Sequence, residues 1–193
     1  MKKLVFASNN AHKLTEIRAI LAGKVEVISL GELGCHDDIP ETAETLEGNA
    51  LIKAEYIHRH YGVYCFADDT GLEVEALDGA PGVYSARFAG EHATPSENVT
   101  LLLDRLSHTQ PRHARFRTVV ALIDELGTHF FEGSIEGTIT TERRGENDPI
   151  FIPEGELRTF AQLSESEKNS MSHRGRAVKK LATYLSALAC HHE

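Results

Sequence analysis

Leu4, Val5, Phe6 and Ala7 form a short apolar run that breaks at Ser8-Asn9-Asn10, the pattern of a buried strand feeding a turn. Leu14, Ile17, Ile20 and Leu21 then recur at the spacing of one helix face, and Gly23 stops them. Val25, Val27 and Ser29 alternate as a second strand. Strand, turn, helix and strand in that order open an α/β layer. Residues 31–44 read as a polar loop, with Glu32, Asp37, Asp38, Glu41 and Glu44 around Pro40. Thr45 is placed to cap a helix with the stripe Leu46, Ala50, Ala54, Ile57 and Tyr61, which Gly62 ends. Val63 to Ala67 predicts another buried strand, followed at once by Asp68-Asp69-Thr70-Gly71. Leu72 to Leu77 predicts a strand, Gly79-Ala80-Pro81-Gly82 a turn, and Pro95 to Leu106 a helix. Arg115 to Ile123 and His129 to Thr141 are β-rich on either side of Gly127, a hairpin signal. Ser172 is placed to cap a closing helix with the stripe Ala177, Leu181, Tyr184 or Leu185, and Leu188. No linker, repeat or low-complexity tract divides the chain. The expectation is one α/β domain over residues 1–193, with a mixed sheet, flanking helices and a long hairpin.

Composition narrows the function classes. With 193 residues, 41% of them hydrophobic and 25% charged, the chain is large enough for a substantial core. A formal net charge of −9 argues against a protein that coats nucleic acid, but not against a small anion held by a few placed cations. No apolar run approaches the roughly 18 residues that span a bilayer, and the four apolar residues after Lys3 are too few for a signal-peptide core. The three cysteines, Cys35, Cys65 and Cys190, are an odd number without CxxC spacing, which fits free thiols in a reducing cytoplasm. Cys65 lies in an apolar run and reads as a small core residue. The histidines are scattered, with His191-His192 reading as a solvated tail, and no HExxH or Cys/His cluster suggests zinc.

Four segments are candidates for chemistry. Ser8-Asn9-Asn10-Ala11-His12-Lys13 joins a strand to a helix N-terminus, where backbone N–H groups and Lys13 suit a phosphate; the alternative is a plain turn in which Asn10 caps the helix. Asp68-Asp69-Thr70-Gly71 puts two carboxylates at the end of an apolar strand. There they need compensating cations or donors, or else form a solvated turn bent at Gly71. Magnesium, which shares carboxylate oxygens with substrate phosphates, is one such cation. Glu41, Glu44 and Glu47 lead into the helix carrying Lys53; Glu44 and Glu47 suit the helix dipole, and Lys53 alone reads as a solvated lysine. Finally, Lys168, His173, Arg174 and Arg176 cluster where a helix begins, an electrostatically unfavourable place for cations unless an anion or a base edge answers them.

Together these segments resemble the inosine/xanthosine triphosphate pyrophosphatase family. The likeness is carried in order by Ser8-Asn9-Asn10 with Lys13 and Glu16, Glu47-Gly48-Asn49-Ala50 with Lys53-Ala54, and Ala67-Asp68-Asp69-Thr70-Gly71-Leu72-Glu73-Val74. It continues through Gly79-Ala80-Pro81-Gly82-Val83-Tyr84-Ser85-Ala86-Arg87, Phe131-Glu132-Gly133, Asp148-Pro149-Ile150-Phe151, Glu167-Lys168-Asn169 and Ser172-His173-Arg174-Gly175. The resemblance implies an elongated two-lobed α/β fold around a substrate cleft, a homodimer, and Mg²⁺-dependent cleavage between the α- and β-phosphates. Nucleoside monophosphate and pyrophosphate would be the products, from ITP, dITP and XTP, in a house-cleaning role in the cytoplasm. It implies that Ser8, Asn9, Asn10, Ala11, His12, Lys13 and Lys53 hold the triphosphate, and that Glu41 and Asp69 bind magnesium, with Glu44 a competing ligand. Asp69 would accept the proton of the attacking water. Thr70 stands where the family often has serine and would keep a hydroxyl contact. Asp148, Lys168, His173 and Arg174 would contact the nucleotide, His173 and Arg174 near the base. Hypoxanthine and xanthine present a keto oxygen at C6 where adenine presents an amino donor. Arginine carries donors only, so Arg174 would discriminate between them, and a site built on such a bond can separate substrates by about 10⁴-fold or more. Rival readings are a pyrophosphatase for other aberrant nucleotides and a nucleotide-binding module without turnover.

The chain departs from the family at one place. The usual Gly-Phe-Gly-Tyr before Asp-Pro-Ile-Phe is missing, and Asn147 runs directly into Asp148. An aromatic that would stack on the purine goes with it, a contact worth about 1–3 kcal/mol in comparable base stacking. Either the deletion is real or a mobile stretch belongs between the two residues. The intact mass separates these: 21.3 kDa establishes the deletion, and a mass larger by four residues establishes the stretch.

Overall fold

The run Leu4-Val5-Phe6-Ala7 is continuously apolar because the strand it forms is covered on both faces. The computed structural model describes residues 3–146 and 148–190 without the Cys190 side chain, so Asn147 and His191-His192 lie outside the described residues. In chain order the elements are β1 (Lys3–Phe6), α1 (Ala11–Leu21), β2 (Glu26–Ile28), α2 (Leu30–Leu33), α3 (Leu46–Tyr61), β3 (Cys65–Val74), β4 (Pro81–Gly82), α4 (Pro95–Arg105), β5 (His113–Asp124), β6 (Gly127–Ile139), β7 (Phe151–Pro153), α5 (Glu165–Ser170) and α6 (His173–Cys190). The sheet runs β2-β1-β3-β5-β6-β7, with β4 beside β3. It is mixed: β1 pairs in parallel with β2 and β3, whereas β4 pairs antiparallel with β3 and β7 antiparallel with β6. This is the expected α/β class.

The chain divides into two units, Met1–Asp69 with Thr118–Gly133 and Arg174–Glu193, and Thr70–Arg117 with Ser134–His173. In the first, the period of two along β1 sorts its side chains between two cores. Leu4 and Phe6 pack with Ile17, Leu21, Phe66 and Leu181. Val5 and Ala7 pack with Ala50, Ala54, Ile57, Cys65 and Ala67. Local signals set the helices. Asn10 accepts the Lys13 N–H at the start of α1, Thr45 accepts the Gly48 N–H at the start of α3, and Gly62 closes α3 at φ +65°. The thiols of Cys35 and Cys65 are buried and free.

The second unit is built on Leu72, Val74, Leu102, Leu106, Ile135, Ile139, Phe151 and Phe160. Thr94 and Glu97 form a reciprocal cap on α4, with Pro95 in its first turn. Buried Arg112 donates to the carbonyls of Leu106, Ile139 and Thr140, fastening the end of β6 to the end of α4. Between residues 140 and 150 the chain forms a loop closed at its base. Thr140 N–H donates to Ile150 O and Arg144 N–H to Pro149 O, both at 2.8 Å.

Four sequence readings are corrected. Ser29 does not extend β2; it caps the short helix α2 through a Ser29/Glu32 box, inside the stretch read as a loop. Pro81-Gly82 pairs with β3 instead of lying wholly in a turn, and Leu72–Leu77 is strand only to Val74, after which residues 75–77 form a 3-10 turn. Most consequentially, Asp68-Asp69-Thr70-Gly71 is no turn but the interior of β3, a strand of ten residues.

Gly137 meets β7 so closely that a Cβ would overlap Ile152 O and the Phe151 ring. Gly137→Ala is therefore expected to destabilise the protein by about 1–3 kcal/mol, the usual range for overpacking, measured as a lower urea midpoint at unchanged slope.

Candidate active site

The turn after β1 is built by its own side chains. Ser8 Oγ accepts the Asn10 N–H (3.1 Å), Asn10 Oδ1 accepts the Lys13 N–H (3.0 Å), and Asn9 Oδ1 accepts the Gly31 N–H (2.6 Å). Ala11, His12 and Lys13 thereby open α1. Lys13 Nζ reaches back to β3 and donates to both carboxylate oxygens of Asp68, each at 3.0 Å.

Asp68 is the meeting point of three cations from three helices. Besides Lys13 on α1, Arg174 Nε on α6 donates to Asp68 Oδ2 (3.1 Å), and Lys53 Nζ on α3 donates to the Asp68 main-chain oxygen (2.6 Å). The Asp68 side chain is 2% exposed. Burial pushes its carboxyl up, but Lys13, Arg174 and Lys53 outweigh it and hold the pKa at about 2. Arg174 is itself shared, its Nη1 donating to Glu16 at 3.1 Å. Lys53, read alone as a solvated lysine, is 13% exposed and also donates to Glu41 Oε1 at 3.0 Å.

The pleat of β3 separates the two adjacent carboxylates. Asp68 shares its face with Phe66, in the core that includes residues of α1 and α6. Asp69 shares the other face with Cys65 and Ala67, against α3. The Asp68 carboxylate thus faces Lys13 and Arg174, and Asp69 lies on the side of α3, the helix carrying Lys53. Glu44, the rival to Glu41, is exposed, and Glu47 stands in the first turn of α3. Among the described residues no three His, Cys, Asp or Glu side chains converge on a metal position.

The second unit holds Thr70, Asp148, Lys168 and His173. A pocket of about 760 Å³ is lined by Thr70, Leu72, Phe116, Arg143, Asp148 and Phe151 among others. Phe116, which the sequence reading did not single out, stacks on His173 with centroids 5.4 Å apart and planes at 18°. Withdrawal from water raises the Asp148 carboxyl, with Lys168 opposing. Lys168 itself pairs with Glu165 at 3.3 Å. Arg143 bonds Ser96 and Thr100 beside the pocket. Glu16, Asn49 and Arg143 were likewise given no role from sequence. Only Glu16 carried a local signal, its i,i+3 spacing from Lys13 on one helix face.

Asp68→Asn would leave buried cations without their counter-charge, and is expected to cost about 3–5 kcal/mol, read from urea unfolding at pH 7. Since the folded pKa lies below the ordinary Asp value, the native protein keeps this stabilisation above about pH 4 and loses it as pH falls toward 2. The loss is about 2–3 kcal/mol and should be absent from the variant's acid titration.

Comparison with known proteins places this architecture. The sequence model of the Ham1 family matches residues 4–184. A dITP/XTP pyrophosphatase of Porphyromonas gingivalis is 60% identical over 190 residues, covering 96% of this chain and 98% of that protein. One from Flavobacterium psychrophilum is 48% identical over 186 residues, covering 94% and 98%. A HAM1 protein from Coxiella burnetii superposes with a TM-score of 0.90 at 38% identity, covering 97% of this chain and all of that one. With a family match across nearly its whole length and relatives this similar, the chain belongs to the Ham1 family.

Proposed function

We propose that the protein is a magnesium-dependent pyrophosphatase that cleaves ITP, dITP and XTP between the α- and β-phosphates, releasing nucleoside monophosphate and pyrophosphate. The observation that carries this reading is the sorting of Asp68 and Asp69 to opposite faces of β3. It leaves Asp69 on the side of Lys53 while cations gather on Asp68. The relatives named dITP/XTP pyrophosphatase support the substrate class.

The donor set suits magnesium. That ion takes hard oxygen ligands and is commonly held by one or two carboxylates, with phosphates and water completing its shell. Lys53 bridges Glu41 and the main chain at Asp68, one residue before Asp69, and two carboxylates as the only protein ligands match that habit and not the closed N/S cage of a structural zinc. Bound there, the ion would neutralise phosphate charge and help orient the attacking water.

The chain's own residues supply the rest. An ammonium has three donors; Asp68 takes two of Lys13's, so a phosphate oxygen is met without breaking the pair. Lys53 acts as the second phosphate cation. Water attacks the α-phosphorus, the bond to the bridging oxygen breaks with its electron pair leaving on pyrophosphate, and Asp69 takes the proton. Lys168 and Asp148 contact the nucleotide, Thr70 keeps its hydroxyl contact, and His173, held on Phe116, lies near the base. Arg174 has five donors and two bonds to carboxylates, and offers another to a C6 keto oxygen. On the family resemblance the enzyme works as a homodimer in the cytoplasm. No helix among the described residues is long and apolar enough to cross a membrane.

The test incubates the protein with Mg²⁺ and each of ITP, XTP, GTP and ATP, and measures pyrophosphate and orthophosphate separately. Pyrophosphate from ITP and XTP, with little from GTP or ATP, is expected. Orthophosphate would mean the wrong bond, and ITP bound without product would mean a binding module.

A further inference from the structure

Glu41 lies on a segment fastened to the start of α3. Asn49, wholly buried in the first turn of that helix, accepts the Ala43 N–H at Oδ1 (2.9 Å). A Cβ on Gly48 would lie 2.5 Å from the Ala43 Cβ, so glycine is what lets the segment approach. The segment carries Glu41 to Lys53, whose ammonium is already anchored at 2.6 Å on the Asp68 carbonyl. Glu41 is 36% exposed, so its carboxylate stays open to solvent while a built-in cation sits against it.

A carboxylate that faces a fixed ammonium at 3.0 Å holds a second cation less well, because the two positive charges repel at short range in a partly dry site. A polyphosphate removes that penalty by giving the ammonium another anionic partner. We infer that Lys53 is an internal competitor for the metal at Glu41: it suppresses binding of the ion alone and releases the carboxylate when a triphosphate arrives. This rests on the assignment of Glu41 as a magnesium ligand. The metal and the phosphate then enter cooperatively, each raising the affinity for the other by the same factor, as linkage requires. Lys53 thus governs metal affinity at Glu41 as well as contacting phosphate. The segment clamped by Asn49 and Gly48 keeps Glu41 in place when the ammonium leaves it.

The test uses the full chain without nucleotide. Mn²⁺ binding is read from loss of the free-ion EPR signal, and inorganic pyrophosphate binding without metal from calorimetry. Lys53→Met keeps the apolar stem and removes the charge. It is expected to bind Mn²⁺ about tenfold more tightly than the native protein, within the usual range of coupling between sites, and pyrophosphate more weakly. A merely structural defect would weaken both. Lys53→Arg should keep the native Mn²⁺ affinity, and Lys53→Gln reads the same effect if Met is not tolerated. Unchanged or weaker Mn²⁺ binding in the uncharged variants overturns the inference. Glu41→Gln separates the two claims. If it leaves Mn²⁺ binding unaltered, the metal assignment itself fails; if it abolishes binding while Lys53→Met gains nothing, only the competition fails.

Discussion

A single buried charge organises the first unit. Asp68 is withdrawn from water on β3, an inner strand of the sheet between β1 and β5, and an isolated carboxylate there would be untenable. Its neutralisation comes from α1 and α6 through side chains and from α3 through the main-chain oxygen. Each of those helices packs by its own apolar stripe, and a cation that must also reach Asp68 narrows the positions its helix can take. Stability and preorganisation therefore share one origin, and the cations proposed to meet substrate are already held in place by the fold.

How much of this was legible depended on the range of the interaction involved. Helix α3 was readable to within a residue at both ends, since Thr45, the apolar stripe and Gly62 are neighbours in sequence and act locally. The hairpin of β5 and β6 and the closing helix were readable for similar reasons. β3 was not. Its middle, Asp-Asp-Thr-Gly, has the composition of a turn, and the cations that make its buried carboxylate tolerable in a strand come from Lys13 and Arg174, 55 and 106 residues away. Nothing local could have shown Phe116 beneath His173 or the burial of Lys53, since both depend on tertiary packing. Helix α2 is a different lesson. Its Ser29/Glu32 box was written in the sequence, but Ser29 continued the alternation of β2 and Glu32 opened an acidic stretch that looked like a loop.

The second unit treats chain length differently from the first. Hydrogen bonds at residues 140 and 150 and at 144 and 149 close the loop at its base, so the sheet is insulated from the number of residues beyond them. A deletion of the family's Gly-Phe-Gly-Tyr before Asp148 would accordingly leave the β6–β7 pairing in order. Its effect would fall on affinity for the base and not on folding, because loop-closure entropy changes only slowly with length.

The alternation along β3 has a consequence for sequence variation. Side chains on a strand change face with every step, so a single inserted or deleted residue between Cys65 and Asp68 would trade the positions of the two aspartates. The carboxylate now sealed among cations would turn toward α3, and its neighbour would be driven into the opposite core. Two residues of the same kind, side by side, are in this protein no more interchangeable than left and right hands, and the distance between them and the start of the strand is as much a part of the site as their chemistry.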